Sequence, residues 1–363
     1  MRLRSLDVFR GLTMAGMVIV NNPGDWAAVY WPLLHAPWHG WTPTDLIFPW
    51  FLFIMGAALA QGDARRTTPF AILRRGAVLV GLGLFMAGFP VFDPARWRIP
   101  GVLFRLGVCY TAAALVWRAM ATADWRRGVV RALVAAAACL LVYWALIAWV
   151  APPGGAAGDL TADGNLGAWL DRGVFGTHLW KTTWDPEGLL GSIPAVGTTL
   201  FGVAAGAWMR GLRPACVAPT LVVTGVAGVI AGLLWDGVLP INKSLWTSSY
   251  ALFTAGTAAV MLGLLTRRLD DGRSSPAFDR ISEPFVALGR NALLLFVVSG
   301  FVAKTLILWK VGGGESAQQW IYQHAFAPLA APRVASLAYA LATLAALYAL
   351  LAWLHRRRWY WSV

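Results

Sequence analysis

The sequence predicts an all-α protein that crosses a membrane many times. Of its 363 residues, 58% are apolar and only 13% are charged, whereas about a quarter of the residues in a soluble domain carry charge. The apolar residues are gathered in long runs. A helix needs about 20 mostly apolar residues to span a bilayer, and we find about ten such runs. An ordinary soluble enzyme is therefore excluded.

The ten predicted transmembrane helices lie between polar or proline-containing loops. They are 6–22, 46–62, 76–92, 100–118, 131–151, 188–208, 215–235, 246–266, 286–309 and 332–354. The first run lacks the small-residue cleavage site of a signal peptide, so it is interpreted as a helix. An even number of spans places both termini on the same side.

Lys and Arg are distributed unevenly between the two sides of these helices. With the N-terminus in the cytoplasm, 21 of the 30 basic residues lie on the inner side. Cytoplasmic loops carry such an excess, so both termini are predicted to be cytoplasmic. The net charge of +13 comes from small clusters in loops rather than from one continuous stripe. A lipid bilayer is therefore the expected partner, and no nucleic acid is expected.

We expect residues 1–363 to form a single transmembrane domain with a long extracytoplasmic loop at about 151–187. A loop of this length is usually functional or disordered, and this one is rich in Trp, Pro and Gly. Its stretch 166–175 predicts a short interfacial helix. Of the 21 Trp residues, 15 fall on the outer side. An aromatic belt at the headgroups is one explanation, and rings that line a sugar site are the other.

His35 and His39 stand together among Trp residues in the first outer loop, shortly before Asp45. An imidazole titrates near neutral pH, so this pair is a candidate for acid–base chemistry. A surface hydrogen-bonding role is the alternative. The spacing of four fits two metal ligands only on a regular helix, which Pro37 disfavours, and no third ligand is nearby. No metal is predicted.

Three arginines lie within or at the ends of predicted helices, where a charge is costly unless it is paired or functional. They are Arg10, Arg105 and Arg290. Structural pairing, or extension of the side chain to the interface, is one interpretation. Recognition of an anionic ligand within the helix bundle is the other.

Six sequence blocks resemble the heparan-α-glucosaminide N-acetyltransferase family and occur in the family's order. They are RLRSLDVFRG (2–11), MVIVN (17–21), HAPWHGWTPTDLIFPWFLFIMG (35–56), RIPGVLFRLG (98–107), DPEGLLGSIPAVGT (185–198) and INKSLWTSSY (241–250), with LGRNAL (288–293) as a weaker match. The blocks cover the chain almost from end to end.

The resemblance implies a bacterial membrane acyltransferase of the inner membrane. Family members transfer the acetyl group of cytosolic acetyl-CoA to an amino sugar on the far side of the membrane, and they suggest a homodimer. The resemblance also makes His35 the catalytic histidine, with Asn21 beside it. Two mechanisms stay open: His35 is a general base, or it carries the acetyl group itself.

Residue type and predicted side assign the remaining roles as expectations. Asp45 orients the imidazole, and Asn21 polarises the thioester carbonyl. Arg10, Arg105 and Arg290 are candidates for the phosphates of the donor. The acceptor is expected to contact Trp38, His39, Trp184, Asp185, Glu187, Asn242 and Lys243. For the two carboxylates, capping of the following helix is the alternative.

A secondary transporter of sugars or amino sugars is the competing function. Transporter sites lie near the bilayer midplane, whereas the charged candidate residues for the acceptor, Asp185, Glu187 and Lys243, are expected at the outer face. A structural scaffold leaves the paired histidines and the outer loops unexplained. The identity of the acceptor sugar stays open.

Overall fold

The computed structural model describes residues 3–62, 65–271 and 275–361. Its helices are α1 (Arg4–Asn21), α2 (Ile47–Gln61), α3 (Pro69–Gly88), α4 (Val102–Ala119), α5 (Trp125–Trp149), α6 (Leu166–Phe175), α7 (Ser192–Gly211), α8 (Pro214–Asp236), α9 (Ser248–Leu269), α10 (Pro276–Arg290), α11 (Ala292–Leu308), α12 (Ala317–Ile321) and α13 (Pro332–Arg356). Two short strands, β1 (Lys310–Val311) and β2 (Glu315–Ser316), pair antiparallel. Single turns of 3-10 helix include Trp31–Leu33 and Pro43–Leu46.

The predicted all-α membrane architecture is confirmed. Within the described ranges, eight helices are long and apolar enough to cross a membrane: α2 with its preceding turn, α3, α4, α5, α7, α8, α9 and α13. A ninth is present if α10 and α11 are counted as one bent span. The chain is therefore an integral membrane protein.

Two of the ten predicted spans differ from the structure. The run 286–309 is not one straight helix. It is divided at Asn291 between α10 and α11, and the axes of these two helices differ in direction by 76°. The run 6–22 does form α1, but that helix carries Arg4, Asp7 and Arg10 and so is less apolar than the other spans. Charges at a helix end are compatible with an interfacial position, where they stay hydrated.

Several helices begin before the apolar run that predicted them. α3 begins at Pro69 rather than 76, where the Thr68 side chain accepts the N–H of Ala71 as an N-cap. α5 begins after Asp124 rather than at 131, because that carboxylate accepts the N–H of Arg126. Basic residues in the first two turns of each helix, Arg74 and Arg75 in α3 and Arg126 and Arg127 in α5, make the apolar run start later than the helix. The predicted short helix at 166–175 is confirmed as α6, and Asn165 caps it.

The chain forms two compact units. The first comprises described residues from 3–36, 41–48 and 265–361, and the second comprises those from 37–40 and 49–264. In the first unit α1 packs along α10 and also contacts α13. In the second, α5 packs along α7, and α3 packs along α4. The expectation of one transmembrane domain stays a prediction.

Glycines allow helix backbones to touch in both units. In the first unit, a Cβ added at Gly289 of α10 would lie 1.9 Å from the carbonyl oxygen of Asp7 in α1. In the second, a Cβ at Gly202 of α7 would lie 2.0 Å from the carbonyl oxygen of Phe53 in α2. Membrane helices use small residues for such close packing because the lipid supplies no hydrophobic drive between them.

Candidate active site

Asp45 is held in place by the turn that contains it. It is the third residue of the 3-10 helix Pro43–Leu46, and Thr42 is the N-cap. Asp45 Oδ2 accepts the backbone N–H groups of Thr42 (3.0 Å) and Ala36 (3.0 Å). Only 1% of the residue is exposed. The carboxylate therefore has a fixed orientation.

His35 lies against the other oxygen of that carboxylate, within the first unit. Its Nδ1 is 2.6 Å from Asp45 Oδ1, and 52% of the His35 side chain is exposed. A carboxylate only accepts hydrogen bonds, so Nδ1 carries the shared proton. The lone pair of the neutral ring is then on Nε2. An accessible imidazole with a buried orienting carboxylate is the arrangement of a general base and its positioning group.

The end of α1 presents two asparagines with different surroundings. Asn21, the last residue of the helix, is exposed. Asn22 is buried, and its Nδ2 donates to the carbonyl of Val18 at 2.8 Å. Of the two amides, only that of Asn21 is accessible to a substrate.

Arg10 and Arg290 both belong to the first unit and are half-buried. Arg10 Nη1 lies 3.5 Å from Asp7 Oδ1, three residues earlier on α1. Arg290 ends α10, and its guanidinium lies 3.8 Å from the ring centre of Tyr360. Arg10 therefore has a carboxylate as its neighbour, and Arg290 has an aromatic ring.

Arg105 belongs to the second unit and is completely buried. Its Nη2 donates to the carbonyl of Gly188 at 2.8 Å, and the guanidinium lies 5.0 Å from the ring centre of Trp246. Its Nε and Nη1 atoms have no hydrogen-bond partner. Trp246 is also buried and has a φ of 53°, a left-handed conformation that a bulky residue rarely adopts.

The tryptophans predicted for the acceptor meet in the second unit. The rings of Trp38 and Trp184 lie 5.1 Å apart, edge to face. Trp38 Nε1 donates to the carbonyl of Leu160 at 2.9 Å, and Trp180 lies 5.4 Å from Trp184. Trp38, from the loop between α1 and α2, is therefore in contact with residues of the long loop at about 151–187 within this unit.

The loop between α8 and α9 (237–247) supports His39. Asn242 Nδ2 is 3.4 Å from His39 Nδ1, and the N–H of Gly40 donates to the carbonyl of Ile241 at 2.7 Å. Asn242 is fully buried and its Oδ1 accepts the N–H of Leu245. His39 is exposed, and Lys243 is half-buried. Asn242 therefore shapes its own turn as well as contacting His39.

Asp185 and Glu187 share one guanidinium. Arg98 donates from Nε to Asp185 Oδ2 (2.8 Å), and from Nη2 to Asp185 Oδ1 (2.7 Å) and to Glu187 Oε2. Asp185 also accepts the N–H of Trp180. Burial raises the pKa of Asp185, and the bonds from Arg98 oppose that shift. Because α7 begins at Ser192 and not at 188, capping of that helix does not explain these carboxylates.

A cavity of about 20 Å³ lies in the second unit, with room for roughly one water molecule. Arg105, Asp171, Trp38 and Trp184 are among its lining residues. Asp171 is 3% exposed, and its Oδ1 accepts the N–H of Leu189 at 2.8 Å. Burial raises the pKa of Asp171 to about 6. The cavity is therefore lined both by the buried guanidinium of Arg105 and by the titratable carboxyl group of Asp171.

Comparison with known proteins decides the family. Residues 2–217 match the model of the family described as "Heparan-alpha-glucosaminide N-acetyltransferase, catalytic". The chain belongs to this family. Curated proteins named heparan-alpha-glucosaminide N-acetyltransferase from Mus musculus and Homo sapiens are 27% and 28% identical to it. Each similarity covers 89% of this chain but 57% and 56% of the relative, so the chain spans somewhat more than half their length.

The region matched to the heparan-alpha-glucosaminide N-acetyltransferase family includes the His35–Asp45 pair and the cavity residues Arg105 and Asp171. The loop between α8 and α9, with Asn242 and Lys243, and Arg290 lie beyond it. No group of three or more His, Cys, Asp and Glu side chains in the described ranges has the geometry to hold a metal ion. The side chains of the site are acid–base and hydrogen-bonding groups.

Three neighbours of the predicted residues were missed in the sequence of this family member. Thr42 carries a readable signal, because Thr-x-x-Asp resembles a capping box and fixes the carboxylate of Asp45. Arg98 pairs with carboxylates about 90 residues away in sequence. Asp171 is the single acidic residue of a short helix. For the last two, the chemistry depends on tertiary packing, which leaves no local pattern.

Proposed function

We propose that the chain is an acetyltransferase that moves the acetyl group of cytosolic acetyl-CoA to the amine of an amino sugar, of the glucosamine type, on the extracytoplasmic side. The observation that carries this proposal is the His35–Asp45 pair, in which a buried carboxylate 2.6 Å away orients a half-exposed imidazole. The relatives are named as N-acetyltransferases of heparan-alpha-glucosaminide. For this chain the acceptor is proposed only as a class.

His35 supplies the proton transfer that such a reaction needs. An amine is mostly protonated at neutral pH and attacks only as the neutral base. The nitrogen of the neutral amine bonds to the thioester carbonyl carbon, and Nε2 of His35 removes a proton from that nitrogen as the bond forms. The carbon–sulfur bond then breaks, and the proton is available for the departing CoA thiolate. Asp45 holds the ring and stabilises its transient positive charge.

A covalent route uses the same residue differently. Nε2 of His35 attacks the thioester carbonyl carbon, the carbon–sulfur bond breaks, and CoA leaves as the thiolate. The acetyl-imidazolium then passes its acetyl group to the neutral amine, the ring returns to its neutral form, and the proton that the amine loses neutralises the thiolate. A labelled acetyl-protein adduct in the absence of acceptor distinguishes this route from direct transfer. In both routes the exposed amide of Asn21 is the proposed donor to the carbonyl oxygen.

The donor requires cations for its phosphates. Arg10 and Arg290 are proposed for this role, because both are half-buried cations of the first unit. Arg10 lies within α1, and Arg290 is the last residue of α10. The aromatic ring beside Arg290 adds a surface for a nucleotide base. Guanidinium groups suit phosphate oxygens because their N–H groups form a planar fork.

The acceptor is assigned to the outer loops of the second unit. Trp38 and Trp184 offer ring faces and edges to a sugar. His39, Asn242 and Lys243 are further polar groups on these loops. Asp185 and Glu187 are also proposed for the acceptor, although Arg98 already neutralises part of their charge.

The proposed membrane setting is supported by two arguments: the distribution of Lys and Arg for the orientation, and the family resemblance for the type of membrane and the assembly. We propose a bacterial inner membrane, cytoplasmic termini and an outward-facing mouth at His35, with a homodimer as the assembly. The competing transporter function finds no support, since the relatives are named as transferases.

The direct test uses purified protein, labelled acetyl-CoA and glucosamine. His35→Ala is expected to lower the rate of N-acetylglucosamine formation by at least a hundredfold, the range of a lost general base. His324→Ala is the matched control, since that histidine is exposed and stacks on Trp320. Transfer by His35→Ala at the wild-type rate would refute the proposal.

A further inference from the structure

We propose that Arg105 and Asp171 form a binding site for a hydroxyl group of the acceptor, in the cavity of the second unit. This inference rests on the proposed function and refines it, since it names the feature of the sugar that is read. It also gives Arg105 a role other than the phosphate binding that the sequence had suggested.

The first observation is the state of Arg105. The side chain is completely buried, yet two of its nitrogen atoms, Nε and Nη1, lack any hydrogen-bond partner. Only Nη2 is engaged, with the carbonyl of Gly188. A buried cation with unused donors is costly unless it meets an acceptor. Arg105 lines the cavity, so a hydroxyl group bound there would lie beside this guanidinium.

The second observation is the carboxyl group that shares the cavity. Asp171 is 3% exposed and lines the same space. One of its oxygens accepts the N–H of Leu189, and a carboxylate oxygen has capacity for further bonds. The cavity therefore offers donors from one residue and acceptors from the other.

A guanidinium and a carboxyl group in one cavity favour a neutral ligand group that both donates and accepts a hydrogen bond. An anion would meet the carboxylates of Asp171 and Asp185, and an ammonium would meet the guanidinium of Arg105. A hydroxyl satisfies both sides, because its oxygen accepts from Arg105 while its proton goes to Asp171. The volume of about 20 Å³ suits one hydroxyl rather than a whole sugar ring.

The surroundings fit a sugar whose ring stays outside the cavity. Trp38 and Trp184 line the same cavity, and aromatic rings pack on the apolar faces of sugars. The buried, left-handed Trp246 lies beside the guanidinium. Strained backbone of this kind persists where the surrounding structure over-determines it, and it clusters at ligand sites.

The test measures binding in the absence of acetyl-CoA, so that it does not depend on catalysis. Tryptophan fluorescence of the purified protein is titrated with glucosamine, with its 3-, 4- and 6-deoxy analogues, and with cyclohexylamine, a ring amine without hydroxyls. In the wild type, we expect at least one deoxy analogue and cyclohexylamine to bind tenfold or more weakly than glucosamine. Equal affinities across the series would overturn the proposal without any variant.

Variants then locate the effect. Arg105→Lys and Asp171→Asn are expected to weaken glucosamine binding about tenfold and to abolish the discrimination against the deoxy analogue. Asp171→Asn keeps the side-chain size and an acceptor for Leu189, so it decides the outcome if the arginine variant fails to fold. Arg126→Gln, an exposed arginine of α5, is the control. Folded variants that discriminate as the wild type does would contradict the proposal.

The two proposals fail separately. Hydroxyl-dependent binding by a protein that transfers no acetyl group would refute the function and leave the cavity assignment standing. Acetyl transfer by a protein that binds glucosamine and its deoxy analogues equally well would refute the cavity assignment and leave the proposed function standing.

Discussion

Two buried aspartates, Asp45 in the first unit and Asp171 in the second, differ in what determines their behaviour. Asp45 is buried but accepts backbone N–H groups from Thr42 and Ala36, so its orientation is fixed. Asp171 is equally buried, and there desolvation dominates and raises the pKa to about 6. The carboxyl group of Asp45 is therefore suited to positioning an imidazole, and that of Asp171 to exchanging a proton near neutral pH.

Asp45→Asn tests the positioning role. An amide in place of the carboxylate can donate to Nδ1, which would favour the tautomer with the proton on Nε2 and remove the base. We expect kcat/KM for acetyl transfer to fall about a hundredfold or more while KM for the sugar changes little. Asp25→Asn, on the same loop, is the control. A loss smaller than twofold would remove Asp45 from the mechanism.

Asp171 makes stability depend on pH. The folded protein holds this proton up to about pH 6, whereas the unfolded chain releases it near 3.8. The group therefore stabilises the fold most at low pH, and this contribution is lost as pH rises from about 4 to 6, on the order of 3 kcal/mol in total. Melting temperatures measured in detergent from pH 5 to 8 should fall less for Asp171→Asn than for the wild type. Parallel curves would contradict the assignment, with Asp159→Asn as control.

Which residues could be predicted depended on whether their partners were close in sequence. The place of Asp45 ten residues after His35 indicated a pair, and the structure puts Nδ1 2.6 Å from the carboxylate. By contrast, Arg98 pairs with Asp185 across 87 residues. The unused donors of Arg105 depend on the burial of α4, which a single sequence does not encode locally.

Single elements were predictable in proportion to the strength of their local signals. Long apolar runs gave helices at all ten predicted positions, since a helix satisfies its own backbone in lipid. The errors are of two kinds. The starts of α3 and α5 were predicted too late, because arginines interrupt the apolar pattern near the beginning of each helix. The break at Asn291, which divides the run 286–309, was not predicted. There, Asn291 exchanges hydrogen bonds with the backbone of Trp359 and Trp361.

The contact between α1 and α10 depends on glycine. Gly289→Ala would place a methyl group 1.9 Å from the carbonyl oxygen of Asp7, so the helices must separate. We expect a cost of about 1–3 kcal/mol or more, seen as a melting temperature lower by several degrees. Gly81→Ala is the control, because nothing lies within 4 Å of its added Cβ. Equal stability of the two variants would contradict this packing.

For the whole molecule, composition alone predicted a polytopic membrane protein, and the structure and the family agree. The number of crossings was less predictable. α1 carries three charges and α10–α11 is bent, so eight or nine apolar spans are present in the described part of the chain where ten were predicted. Sidedness rests on the distribution of Lys and Arg.

Reporter fusions test that sidedness. A fluorescent protein that folds only in the cytoplasm should be active when fused after residue 361 or within the 120–124 loop. A phosphatase that folds only outside should be active after Gly158. The opposite pattern would invert the topology and place His35 on the side of acetyl-CoA.

The most direct measurement of the central claim places donor and acceptor on opposite faces of a membrane. Purified protein is reconstituted in liposomes with glucosamine trapped inside, and labelled acetyl-CoA is added outside. The account predicts labelled N-acetylglucosamine in the lumen with wild-type protein and none with His35→Ala. Luminal product at an unchanged rate with His35→Ala, or product only when both substrates share one compartment, would contradict it.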